Sequence, residues 1–363
     1  MAHGENGVSV MLRARRELSA VSARLREQAE RPVSGGESAL IGMLGDRLVS
    51  VLRSHNTPST LYYVRADGET YVVKVEFGRA PTLRDEIRWY RNAVQRGLPR
   101  RLFITGHSGP GLSFLLLKRF GDGSTVDDLA LAGESTGQLG RHVASAMDSD
   151  TELFHRTQCH VGQDHVHRLT ERRLALRRSQ AGKFPYLRTL MDVDVVTING
   201  IGLPGASRCL NRVFGDPRLV SYLTPDRVGM TFGDLHCGNI LVHEGFTEVV
   251  DPRGGPLLPI TYDYGKLIQS VEGGYGAVMA GRYVLRRTDG TAYEFVPEVV
   301  PGYSSVAVLL AASCDELRYL QSLYYAALHF TAMLPHHASA QEETTALYLC
   351  GVSLFDKLLT QLA

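Results

Sequence analysis

The chain has little of what several protein classes require. Its five cysteines (159, 209, 237, 314 and 350) are odd in number and lack Cys-x-x-Cys spacing. That argues against a disulfide framework and predicts reduced thiols in a cytoplasmic protein. No apolar stretch approaches about 18 uninterrupted residues, so no transmembrane helix is expected. The opening Met1-Ala2-His3-Gly4-Glu5 is too polar for a secretory leader. Charge of one sign is also missing: 39 Lys and Arg against 38 Asp and Glu leave a net +1, no basis for binding nucleic acid or a membrane surface. His155, His160, His165 and His167 crowd one region. Their intervals are not those of a helical ligand pair and no cysteine or carboxylate completes a set, so no metal site is expected there.

What is present suits a soluble enzyme. With 44% apolar and 21% charged residues in 363, the chain can bury the core of two lobes. Its most informative stretch is Thr231-Phe-Gly-Asp-Leu-His-Cys-Gly-Asn-Ile-Leu241, followed by Val249-Val250-Asp251-Pro252-Arg253-Gly254. Residues 240–243 read as a strand, Glu244-Gly245 as a turn and 246–250 as the return strand, a hairpin that carries Asp251 back beside Asn239. Gly233 and Gly238 let the loop fold tightly at positive φ. Asp234, Asn239 and Asp251 are the groups phosphoryl transfer requires: one to orient and deprotonate an attacking hydroxyl, two oxygen donors to hold Mg²⁺ on nucleotide phosphates.

Gly-Asp-Leu-His-x-Gly-Asn-Ile-Leu with a later apolar-apolar-Asp resembles the pattern of the aminoglycoside phosphotransferase family, which includes choline and sugar kinases. The resemblance implies an α+β, protein-kinase-like fold of two lobes: an N-terminal helical extension (1–46), a β-rich nucleotide-binding lobe (47–120) and a mainly helical lobe (121–363) with the catalytic loop and acceptor site. It makes Asp234 the catalytic base and Asn239 and Asp251 the Mg²⁺ ligands. His236 shapes the loop, and Asp263 of Tyr262-Asp263-Tyr264-Gly265-Lys266 bonds the loop backbone from behind. Phe232 stands where the family usually has His, which touches loop support rather than chemistry.

A kinase also needs a phosphate-binding lysine, an acidic partner for it and an adenine slot. Residues 61–65 and 71–76 read as strands joined by Ala66-Asp67-Gly68-Glu69. Lys74 inside the second calls for an anion. Pro81 opens a helix whose Ile87 and Tyr90 face the sheet, favouring Glu86 over Asp85 as partner of Lys74. The nucleotide-covering loop is expected at 54–60; it has no glycine, and Ser59 and Thr60 are its candidate phosphate contacts, a plain polar hairpin loop being the equal alternative. Adenine is expected to bond main-chain groups around Leu117, Lys118 and Arg119, before a helix capped at Thr125.

Residues 9–31 read as an amphipathic helix that packs on the sheet or dimerises, leaving a monomer or a homodimer open. Residues 125–225 read as mainly helical, broken near 184–185, 200–205 and 215–217. Arg253 has two equal readings, pairing with a phosphate or with an acidic neighbour. By family analogy the acceptor lies among the C-terminal helices, with Asp315, Glu316, Tyr319 and His329 as contacts.

The reading is an ATP- and Mg²⁺-dependent kinase, GTP remaining open, that phosphorylates a hydroxyl of a sugar-containing small molecule, an antibiotic in resistance or self-protection. The alternative is a primary-metabolism kinase for a monosaccharide, nucleoside or amino alcohol. A near-neutral total charge argues softly against a dedicated binder of polycations. A protein kinase would carry Asp-Phe-Gly where this chain has Asp251-Pro252-Arg253, and a non-catalytic regulator would lack one of the groups above.

Overall fold

The computed structural model describes residues 5–30, 36–53, 59–78, 81–98, 102–120, 123–134 and 136–363. The chain divides into two compact units, Met1–Asp122 with Pro252–Gly255, and Gly123–Asp251 with Pro256–Ala363.

The first unit contains α1 (Glu5–Glu30), α2 (Gly36–Leu44), β1 (Leu48–Arg53), β2 (Thr60–Ala66), β3 (Glu69–Phe77), α3 (Pro81–Gln95), β4 (Phe103–Ser108) and β5 (Leu112–Lys118). The strands form one antiparallel sheet in the order β1-β2-β3-β5-β4. Asp67 and Gly68 at the β2–β3 turn have φ of 57° and 78°, the left-handed pair that a two-residue hairpin needs. Strand alternation then sorts β3: Tyr71, Val73 and Val75 enter a core shared with Val21, Leu25 and Ala29 of α1, while Lys74 and Glu76 project from the opposite face. The amphipathic N-terminal helix is thus a layer of this core. Trp89 and Tyr90 of α3 are buried, and Tyr90 stacks on Phe103 at 5.2 Å.

The second unit opens with β6 (Ser124–Thr125), α4 (Val126–Leu131), α5 (Thr136–Thr157), β7 (Cys159–His160), α6 (Gln163–Ala181) and α7 (Pro185–Met191). It continues with β8 (Val195–Ile198), β9 (Ile201–Pro204), α8 (Ala206–Gly215), α9 (Pro217–Leu223), β10 (Arg227–Val228), β11 (Ile240–His243) and β12 (Phe246–Val249). The last part is α10 (Ile260–Val271), α11 (Tyr275–Met279), β13 (Tyr283–Asp289), β14 (Ala292–Pro297), α12 (Pro301–Ser313), α13 (Glu316–Met333) and α14 (Gln341–Gln361). α10 packs along α13, and α13 along α14. Ten consecutive residues of α10, Thr261 to Ser270, are buried, as expected of a helix that is core on all sides.

One region departs from the sequence expectation. Residues 195–204, read as helix running into a break at 200–205, form the hairpin β8–β9, and β14 adds to β8 in parallel, giving the sheet β13-β14-β8-β9. The β-branched run Val195-Val196-Thr197-Ile198 favours a strand, and Asn199-Gly200, with φ of 52° and 82°, makes the turn. Asn199 also bonds Phe295 in both directions, donating from Nδ2 at 2.8 Å and accepting at Oδ1 at 2.9 Å. That bond joins segments almost a hundred positions apart, a pairing invisible to local pattern.

Candidate active site

In the first unit Lys74 lies on the central strand β3, opposite Leu61 and Leu115. Its Nζ is 2.8 Å from Glu86 Oε2, with the two side chains 12% and 5% exposed. Asp85 points elsewhere, 3.4 Å from Arg88, because one position along a helix turns a side chain by about 100°. Ser59 is buried and donates its hydroxyl to Glu76 Oε1 at 2.7 Å, while Glu76 Oε2 accepts the Leu83 N–H at 3.1 Å. Glu76 thereby joins Ser59 to the first turn of α3. Thr60 pairs with Arg53 and Val75 in the sheet. Residues 54–58 of the expected nucleotide loop lie outside the described residues.

Leu117 is buried, and Lys118 pairs with Glu69 at 3.2 Å. The Lys118 N–H donates to Leu102 O and the Arg119 N–H to Thr70 O. Both N–H groups are thus engaged within the chain, a fact the sequence does not reveal.

In the second unit the loop 233–239 is held by one face of α10. Asp263 accepts the Gly233 N–H at 2.7 Å and the Leu235 N–H at 3.3 Å, bracketing Asp234. One turn on, Lys266 Nζ lies 2.9 Å from Asp234 Oδ1. One turn further, Ser270 Oγ accepts the Cys237 N–H at 3.1 Å. The spacing i, i+3, i+7 puts these three side chains on one stripe of the helix. Burial pushes the Asp263 carboxyl upward in pKa, and the two backbone N–H groups oppose this.

The loop's own residues complete the lock. Asn239 Nδ2 donates to the Asp234 carbonyl at 3.0 Å. His236 Nδ1 accepts the Gly238 N–H at 3.1 Å, and its ring meets Tyr275 edge-on at 5.7 Å. Burial lowers the His236 pKa, the nearby Asp234 working the other way, and the accepting Nδ1 requires the neutral ring. Gly233 has φ of 73°, so a side chain there would strain the backbone. Gly238 is not at positive φ; instead a Cβ would stand 3.0 Å from Asp127 Oδ2 and 3.0 Å from His236 Cε1. Phe232, fully buried, donates its N–H to Asp150 Oδ1 at 3.1 Å, so the loop is anchored there through the main chain.

The hairpin β11–β12 pairs Ile240 with Val249 around a Glu244-Gly245 turn, and the Val250 N–H donates to the Asn239 carbonyl at 3.0 Å. Asn239 and Asp251 therefore sit at adjacent strand ends. Asp251 holds φ of 54°, a conformation uncommon outside glycine and enriched at ligand sites. An amide turned by its Asp234 bond and a carboxylate on a strained turn are hard oxygen donors, the set that suits Mg²⁺.

Several neighbours escaped the sequence reading. Asp127, on the helix capped at Thr125, accepts Tyr303 Oη at 2.5 Å and lies against Gly238. Burial raises its carboxyl pKa, while the Tyr303 bond and His236 lower it. Lys266 could have been found from its i+3 distance to Asp263; nothing local marks Asp127 or Tyr303.

The residues expected to contact the acceptor have other work. Asp315 caps α13 by accepting the Arg318 N–H at 2.7 Å, and Glu316 is the exposed acid of its first turn. Tyr319 donates to Glu272 at 2.8 Å and receives Lys357 Nζ at 2.8 Å. His329 is buried, with Nε2 donating to the Tyr262 carbonyl at 3.0 Å. Family position suggested these four; Asp315, Tyr319 and His329 are engaged within the chain as described, and Glu316 is exposed. Of the clustered histidines, His160 faces Asp226, His167 faces Glu171 and His155 bonds Gln158.

Residues 51–299 match the model of the phosphotransferase enzyme family, APH. No curated protein matches the chain. Among solved structures, aminoglycoside phosphotransferase APH(4)-Ia is similar over 90% of this chain and 98% of its own, at 14% identity and a TM-score of 0.55. A thermostable mutant of that enzyme, in ternary complex with AMP-PNP and hygromycin B, is similar over 91% of this chain and 99% of its own, at 13% identity and a TM-score of 0.56. Choline kinase LicA from Streptococcus pneumoniae covers 89% and 100% at 12% identity and a TM-score of 0.50. At such identities the likeness establishes an α+β, protein-kinase-like fold. No helix among the described residues is long and apolar enough to cross a membrane.

Proposed function

This chain belongs to the phosphotransferase enzyme family, and from that premise we propose that it transfers the γ-phosphoryl group of ATP to a hydroxyl of a sugar-containing small molecule, with glycosylated antibiotics as the acceptor class. The observation that carries the reading is the lock on Asp234: its flanking amides bonded to Asp263 and its carbonyl bonded to Asn239. A loop held this firmly at one carboxylate suits positioning chemistry, which is the main demand of phosphoryl transfer.

Asp234 accepts the proton of the acceptor hydroxyl. The acceptor oxygen forms a bond to the γ-phosphorus, and the bond from that phosphorus to the β,γ-bridging oxygen breaks, its electron pair leaving with ADP. Lys74, held by Glu86, binds the α and β phosphates. Asn239 and Asp251 would hold Mg²⁺, which when bound neutralises charge on the phosphate oxygens. His236 and Asp263 keep the loop in shape.

The test is ADP release by purified protein with ATP and Mg²⁺ against aminoglycosides, other glycosylated antibiotics, nucleosides, monosaccharides and choline. The proposal expects turnover with a glycosylated antibiotic; turnover confined to a monosaccharide, nucleoside or choline would move the chain to primary metabolism. Asp234→Asn is expected to lower kcat by about 10²–10⁴-fold while nucleotide still binds. Near wild-type turnover in that variant contradicts the role of Asp234.

A further inference from the structure

The geometry points to Lys266 as a positioning residue for the reaction, and we propose that its ammonium holds the Asp234 carboxylate in the orientation that receives the acceptor proton. The inference rests on the kinase reading above and goes beyond it, since the roles assigned there do not use Lys266.

Lys266 is 9% exposed and sits in the middle of a helix that is buried from Thr261 to Ser270. Lysine is rarely tolerated in such a place without an anion, because its charge loses the solvation of water. The anion is Asp234, 2.9 Å away, and its side chain is 34% exposed against 11% for that of Lys266. The lysine therefore approaches from the protein side while the carboxylate keeps an open side. Asp263, one turn earlier on the same helix face, fixes the main chain on both sides of Asp234. Backbone and side chain of one residue are thus held from a single rigid helix.

Two consequences follow. A carboxylate joined to a buried ammonium samples fewer orientations, so less of the barrier is spent on aligning it with the hydroxyl. The positive charge also offsets the repulsion between a carboxylate and a polyphosphate placed near it. Both effects act on the chemical step more than on nucleotide affinity, which distinguishes Lys266 from a residue that only supports the fold.

The experiment measures ADP release by the full chain with ATP and Mg²⁺, water serving as the acceptor, for the wild type, Lys266→Met, Lys266→Ala and Asp234→Asn. Lys266→Met is expected to lower kcat by about 10²-fold with the KM for ATP within about threefold, the signature of an interaction felt in the transition state. Adding n-propylammonium to Lys266→Ala is expected to recover kcat by about tenfold, whereas 1-propanol, of similar shape and no charge, recovers none. A kcat within about threefold of wild type in Lys266→Met overturns the proposal, as does equal rescue by the alcohol. If circular dichroism shows Lys266→Met unfolded, Lys266→Arg takes its place: retention of at least about a tenth of kcat supports a charge-based role, and loss beyond about 10²-fold in the folded protein overturns it. If the wild type releases no more ADP than Asp234→Asn with water, the same variants are compared with the acceptor identified by the panel above; a wild type that turns over no acceptor at all fails at the kinase reading itself, and Lys266 falls with it.

Discussion

Replacing Lys74 by methionine separates the structural and chemical parts of the Lys74–Glu86 pair. The two side chains are 12% and 5% exposed, with N and O 2.8 Å apart, so this is a buried pair and not a surface ion pair of small worth. Lys74→Met leaves the Glu86 carboxylate buried without its counter-charge, which costs about 3–5 kcal/mol. With a urea m-value of about 1–3 kcal/mol/M, the unfolding midpoint falls by about 1–5 M. Trp89, the only tryptophan in the chain, lies buried on the same helix as Glu86, so its fluorescence reports this unit directly. The double variant Lys74→Met/Glu86→Leu replaces the pair by apolar groups of similar size and is expected to return to within about 1 kcal/mol of wild type. Its kinase turnover should stay lost, because the charge proposed to bind phosphate is still absent. A single variant whose midpoint moves by less than about 0.3 M, or a double variant as unstable as the single one, refutes the buried-pair reasoning.

Other outcomes test the loop and the pH response. Asp263→Ala removes the acceptor of the Gly233 and Leu235 amides, at about 1–3 kcal/mol for each donor left unpaired; the denaturation midpoint by circular dichroism should fall and turnover with it, and an unchanged midpoint would show that water replaces the carboxylate. His142, whose Nδ1 lies 2.8 Å from Thr247 Oγ1, has its pKa lowered by burial first and by Arg141 second. A lowered folded-state value means the native state resists protonation, so the stability it contributes is present above the unfolded value of about 6.5 and is lost as pH falls through the folded value. Urea midpoints at pH 7.5 and 5.5 should therefore drop less in His142→Gln than in wild type, and equal drops would place the pH response elsewhere.

The parts of the site legible in the sequence are those whose signal is local. Gly233 to Leu241 and Val249 to Asp251 carry turn chemistry, strand alternation and donor type within about twenty positions, and a hairpin has few ways to close, so Asn239 and Asp251 had to come together. Lys74 stood out because a lysine in an apolar strand needs an anion. The Pro81 helix offered two acids, and helix periodicity against Ile87 and Tyr90 separated them. The β8–β9 hairpin was also written locally, in Asn199-Gly200 and the β-branched run before it, but its partner β14 was not.

What required the folded chain is whatever depends on meetings between distant segments. Lys266, Ser270 and Asp127 reach the loop only because α4 and α10 pack beside it, and Tyr303 of α12 joins them through Asp127. Asp315, Tyr319 and His329 have the residue types of acceptor contacts, and only the folded chain shows the partners they already hold, a helix N–H, Glu272 with Lys357, and the Tyr262 carbonyl. Residue type and spacing determine which groups can do chemistry, since those follow from covalent structure and backbone period. Which of them face a reaction and which satisfy a buried neighbour is decided by side-chain packing in three dimensions, where a charge must find its counter-charge or be excluded.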